Sequence, residues 1–148
     1  MDLTFTNSTK HKAFSRAFFE KMVRASIKEL KLEKKNIGLS INLVSKAKIK
    51  TLNKKYRDKN KSTDVLSFPL HNQLLPNKTK EHILELGDIF ICPDVALEKS
   101  QKSSKNFKEE LEFLVVHGFL HLLGYDHEKS SKAEQEMFKL QDKILKSL

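Results

Sequence analysis

The stretch "NFKEELEFLVVHGFLHLLGYDH", Asn106 to His127, decides how this chain is built. Asn106 followed by Glu109 is a capping-box start, in which each side chain can satisfy the other's free backbone N–H. Phe107, Leu111, Leu114, Val115 and Leu122 then recur at helical spacing, so one face of the helix is apolar. Gly124 can take the left-handed conformation that ends a helix without a Cβ penalty. That apolar stripe needs a surface to pack on, and the rest of the chain offers a sheet.

Upstream, "LTFT" (3–6) alternates as a short strand. Phe14, Phe18, Val23, Ile27 and Leu30 predict a helix within Lys12 to Leu32. "IGLSINLV" (37–44) alternates as a half-buried strand. Ser45 can cap a short helix with Ile49, Leu52 and Tyr56 on its apolar face. "RDKNKST" (57–63) reads as a loop, and "DVLSF" (64–68) as a strand ended by Pro69. Residues 71–85 carry little pattern and are expected to be an exposed connection. "LGDIFIC" (86–92) is a fourth strand, and Pro93 opens a helix at a position that tolerates it. Ser131 with Glu134 suggests the start of a terminal helix that buries Met137, Leu140 and Ile144. The expected architecture is α/β (α+β). One domain over residues 1–148 holds a mixed four-stranded sheet, with helices packed on it and the histidine helix against it.

The 148 residues suit one domain, and 39% hydrophobic against 32% charged residues allow a real core. No stretch approaches the roughly 20 apolar residues of a membrane span, and "MDLTFTNSTK" lacks a secretory pattern. A lone cysteine, Cys92, fits a reduced cytoplasmic protein with the thiol packed in a strand. The net charge is +9, and Lys46 to Lys61 holds eight basic residues and one acid. Such a one-sided run points to a polyanionic partner, with Lys54, Lys55 and Lys59 as phosphate contacts.

His117, His121 and His127 have the spacing of the metzincin zinc motif, H-E-x-x-H-x-x-G-x-x-H, except that Gly118 stands where that motif has its glutamate. His117 and His121 lie one turn apart on one helix face. The turn at Gly124 can bring His127 back to them. Three imidazoles and an open fourth position are the pattern of a catalytic zinc rather than a structural one. One zinc per chain is therefore expected, with affinity weakening below about pH 6.5 as the ligands protonate. His11, His71 and His82 have no such neighbours and read as surface residues.

"HGFLHLLGYDH" also resembles the signature of the YbeY family of endoribonucleases. "YRDKNKSTDVLSFP" is similar to that family's Y-R-x-K-[DN]-x-P-T-D-V-L-S-F-P block, and "LGDIFIC" to its G-D-I strand. Ser62 departs from the pattern, which has proline before Thr-Asp. The resemblance implies zinc on His117, His121 and His127 and an important arginine at Arg57. It further implies a cytoplasmic enzyme acting on single-stranded ribosomal RNA, in 16S 3′-end processing and ribosome quality control. The ribosomal subunit and its proteins are then the expected partners, with neither DNA nor a membrane involved.

Without the glutamate, hydrolysis is still open to such a site. Bound zinc lowers the pKa of its water from 15.7 to about 7, or polarises a phosphoryl oxygen while a 2′-hydroxyl attacks. Arg57 offers a permanently charged fork for the phosphate oxygens. Asp64 and Asp88 can orient Arg57 or a histidine, although a turn-capping role suits either one better. Asp126 adjoins a ligand and can accept a proton. Two other readings stay open: a zincin-like metallo-amidase or protease, which Gly118 disfavours, and a non-catalytic RNA-binding ribosome assembly factor.

Overall fold

The computed structural model describes residues 1–71 and 82–148. Most of the expected connection at 71–85 lies outside the described residues, and its end is strand from Ile83 onward. The elements run β1 (Asp2–Asn7), α1 (Arg16–Glu29), β2 (Asn36–Leu43), α2 (Lys46–Arg57), β3 (Val65–Pro69), β4 (Ile83–Ile91), α3 (Pro93–Gln101), α4 (Phe107–Leu122) and α5 (Ser131–Lys146). The fold is α+β with a mixed sheet of order β1-β2-β4-β3. β1, β2 and β4 are parallel, and β3 runs antiparallel along the edge of β4.

Several element ends differ from the sequence reading. α1 starts at Arg16 rather than near Lys12. It stops at Glu29 because Lys31 turns left-handed, and Leu32 N–H then bonds back to Ile27 O at 2.9 Å. That reversal is a Schellman cap, and it buries Leu32. α2 has its Ser45 cap as expected, the hydroxyl accepting from Lys48 N–H at 3.2 Å. Of its three expected apolar contacts Ile49 is buried, Leu52 is half-buried, and Tyr56 is 56% exposed. Cys92 is buried just past β4, at the N-cap of α3. α5 is capped by Ser130, one residue before the serine expected from the sequence.

A register irregularity in the sheet decides which side chains face the core. Leu84 and Leu86 point inward, and so do Ile89 and Ile91. The alternation changes phase between these pairs because an extra residue of β4 sits opposite β2 between Gly38 and Ser40. Gly87 carries the bulge at φ +128, and a Cβ there would lie 2.1 Å from the Phe68 carbonyl oxygen. α4 is the central helix, touching α1, α3, α5 and strands β3 and β4. Its capping box forms as expected, with Glu109 N–H donating to Asn106 Oδ1 at 2.8 Å and Asn106 N–H to Glu109 Oε1 at 3.1 Å.

Candidate functional site

α4 presents His117 and His121 one turn apart, with their Nε2 atoms 3.1 Å from each other. Gly124 adopts φ +100, and Tyr125 N–H bonds back to Leu120 O at 3.1 Å, a Schellman reversal at the helix end. The chain that follows brings His127 in. One ligand atom from each of the three rings lies within 4.8 Å of the others, so the cluster can hold a metal ion.

The donor set fits such an ion. Two nitrogens at 2.0–2.1 Å from one tetrahedral ion sit about 3.3 Å apart, close to the separation of the two Nε2 atoms. Among the described residues, His127 Nδ1 is buried without a hydrogen-bond partner, a polar atom that an ion held by the cluster could satisfy. The His117 ring is held from outside the cluster. Its Nδ1 lies 2.8 Å from Oε1 of Gln141, and Phe113 stacks on its face at 5.6 Å.

Burial lowers the pKa of His121 to about 4, aided by the neighbouring His117 and His127 rings and opposed by Asp126 and the Tyr125 backbone. Burial also lowers His117, against the Gln141 hydrogen bond and the charge of Asp64. Proton competition with a metal ion at these two histidines would therefore begin lower than the ordinary histidine value of about 6.5 suggests. The same shift has a stability consequence. The unfolded chain protonates His121 near 6.5, whereas the folded chain does so only near 4. In the metal-free protein the contribution of His121 to stability should be fully present above about pH 6.5 and be lost as pH falls from there toward 4. Urea midpoints measured in chelator across that window check this, and the slope should shrink in His121→Asn.

A cavity of about 620 Å³ joins this cluster to the end of α2 and the edge of β3. Arg57, Lys59 and Lys61 line it together with His117, His121 and His127. Arg57 is the last residue of α2 and not part of a loop, because the left-handed Asp58 ends the helix after it. Its Nη2 donates to the Ser67 carbonyl at 2.6 Å, and its guanidinium lies 5.4 Å from the Phe68 ring centre. Lys54 and Lys55 are placed elsewhere, on a separate shallow depression beside Lys50 and Asp58.

Gly118 has a packing reason. A Cβ there would sit 3.1 Å from two carbons of Ile89 and 3.2 Å from Ser67 Oγ. The position faces the sheet, and a glutamate there would have to displace β4 side chains.

The three aspartates divide. Asp64 pairs with Lys99 at 2.8 Å. Asp88 accepts from Ser40 across the sheet, in a chain of side chains running through Asn42 to Thr6. Asp126 lines the cavity and accepts from Glu128 N–H at 2.9 Å, a local turn. Among the described residues, neither Asp64 nor Asp88 hydrogen-bonds Arg57 or a cluster histidine.

Two residues at the site were not read as site residues from the sequence: His71, expected at the surface, and Gln141. His71 lines the cavity, and its Nε2 lies 3.1 Å from Glu85 O. Gln141 has a readable signal, since a glutamine on the apolar stripe of Met137 and Ile144 is a buried amide in need of a partner. His11 is a partly exposed surface residue, as expected, and lies 2.7 Å from an Asp94 carboxylate oxygen.

Residues 4–148 match the family model described as endoribonuclease YbeY. The endoribonuclease YbeY of Mesoplasma florum is 44% identical over 128 residues, covering 86% of this chain and 74% of that protein. That of Persephonella marina is 37% identical over 137 residues, covering 93% and 86%. The solution structure of TM1509 from Thermotoga maritima superposes with a TM-score of 0.65 at 31% identity, over 97% of this chain and 86% of that one. The chain therefore belongs to the endoribonuclease YbeY family.

Proposed function

We propose that this protein is a zinc-dependent endoribonuclease, one catalytic domain over residues 1–148, that cuts single-stranded RNA. The observation that carries the reading is the single cavity lined by both Arg57 and the three histidines. His117, His121 and His127 hold one zinc ion per chain. When bound, such an ion supplies Lewis acidity toward a phosphoryl oxygen and acidifies water.

The chain's own groups do the rest. Arg57 makes one hydrogen bond among the described residues, to a fixed backbone carbonyl, so its fork is oriented in advance while other N–H donors stay available for phosphate oxygens. Lys59 and Lys61 add positive charge on the cavity wall. Lys54 and Lys55 extend the basic surface outside it and follow the RNA backbone. Affinity should fall steeply with salt, and replacing Lys54, Lys55 and Lys59 by alanine should flatten that slope without releasing metal. An unchanged slope would move the RNA track off α2.

Ribosomal RNA is the proposed substrate, in 16S 3′-end maturation and quality control, and it brings the ribosomal subunit and its proteins as partners. The proposed compartment is the cytoplasm, without DNA or membrane as partners; among the described residues no helix is long and apolar enough to cross a membrane. The family resemblance and the basic surface support this reading.

The peptidase alternative is disfavoured by the edge of β3 as well as by Gly118. An extended peptide would add to that edge through main-chain hydrogen bonds. Arg57 already occupies the Ser67 carbonyl, and Pro69 has no N–H to offer.

The test is incubation of the purified protein with single-stranded RNA, duplex RNA and casein, with and without chelator. Loss of single-stranded RNA alone, abolished by chelator and restored by zinc, is the expected result. Cleavage of casein, or RNA cleavage that persists in chelator, would overturn the proposal.

A further inference from the structure

We propose that Gln141 is a positioning residue for the metal, selecting the tautomer of His117 that leaves Nε2 free as a ligand. This rests on the metal reading above. Gln141 comes from α5, remote in sequence from the histidine motif, and is 1% exposed. Met137 and Ile144 flank it on the buried face and pack with Val116 and Leu120 of α4. The amide is thus pressed against the metal helix by apolar contacts on both sides.

Its Oε1 lies 2.8 Å from His117 Nδ1. An amide oxygen only accepts, so Nδ1 must carry the hydrogen. In the neutral ring Nε2 then keeps its lone pair, and that atom faces His121 Nε2 at 3.1 Å. Phe113 stacks nearly parallel to the same ring, at 14°, and limits its tilt. Hydrogen bond and stack together set both the identity and the direction of the donor atom. Outer partners of this kind orient ligands and raise their basicity.

The experiment uses the full chain, stripped of metal, as parent, Gln141→Leu and Gln141→Glu. Zinc affinity is read by competition with a chromophoric chelator, and the His117 tautomer by ring ¹⁵N shifts in the metal-free protein. The parent should carry its His117 proton on Nδ1. Gln141→Leu fills the same space without an acceptor, so it should weaken zinc roughly 10- to 100-fold while its unfolding midpoint stays near the parent's. Gln141→Glu restores an acceptor and should bind zinc at least as tightly as the parent. Equal zinc affinity in parent and Gln141→Leu overturns the role of Gln141 and leaves the metal reading standing. A parent that binds no zinc overturns the metal reading itself. Should the leucine variant not fold, a parent His117 protonated on Nε2, or a glutamate variant that binds zinc more weakly, still overturns the proposal.

Discussion

Arg57→Ala is expected to keep full metal content while RNA cleavage falls by on the order of a hundredfold or more, the usual loss for a preorganised charge aimed at a developing oxyanion. Arg57 stands outside the histidine cluster, on the last turn of α2, and lines the same cavity. It therefore has no part in the cluster that would hold an ion. The substitution also removes the hydrogen bond to the Ser67 carbonyl, so a stability loss of about 0.5–1.5 kcal/mol should accompany it. Arg57→Lys should recover little, because a point charge does not reproduce a planar fork. Metal content, unfolding midpoint and single-turnover cleavage, measured on the same preparations, check all three statements. Cleavage at the parent's rate in Arg57→Ala would reduce the arginine to part of the basic surface.

His121→Ala should behave differently, losing metal and cleavage together. Its Nε2 lies 3.1 Å from that of His117, and removing one of three candidate ligands leaves two that come from opposite sides of the Gly124 turn. Added zinc at high concentration should restore little, since the missing nitrogen is a coordination bond rather than a positioning contact. The two variants therefore form a pair: one separates metal from activity, and the other does not. A His121→Ala protein that retains stoichiometric metal would break the ligand assignment, whatever its activity.

Part of this protein was readable from the chain alone, mostly where the deciding interaction spans only a few residues. The Asn106–Glu109 box, the Ser45 cap and Pro93 each act within a turn of helix, and all three stand where the sequence places them. The same holds for the histidine cluster. An i, i+4 pair, a glycine able to take φ +100 and a short return bring three rings together through backbone preference alone. Expectations fail by small amounts at ends governed by tertiary contact, as at Lys31, where burial of Leu32 stops α1 early.

Other features needed the packed molecule. Whether Arg57 reaches the histidines depends on β3 lying along β4 with α4 packed beneath them, contacts between distant parts of the chain. Asp88 shows how sharply register decides. One extra residue at the Gly87 bulge turns Ile89 inward and sends Asp88 out to Ser40, away from the site. Gly118 means a missing base in the sequence and a close approach of helix to sheet in the structure. Gln141 meets His117 only because Met137 and Ile144 press α5 onto α4. Local backbone preferences act over a few residues and stand written in the order of the chain. Partnerships across the core are set by register and packing, where a shift of one residue exchanges buried for exposed.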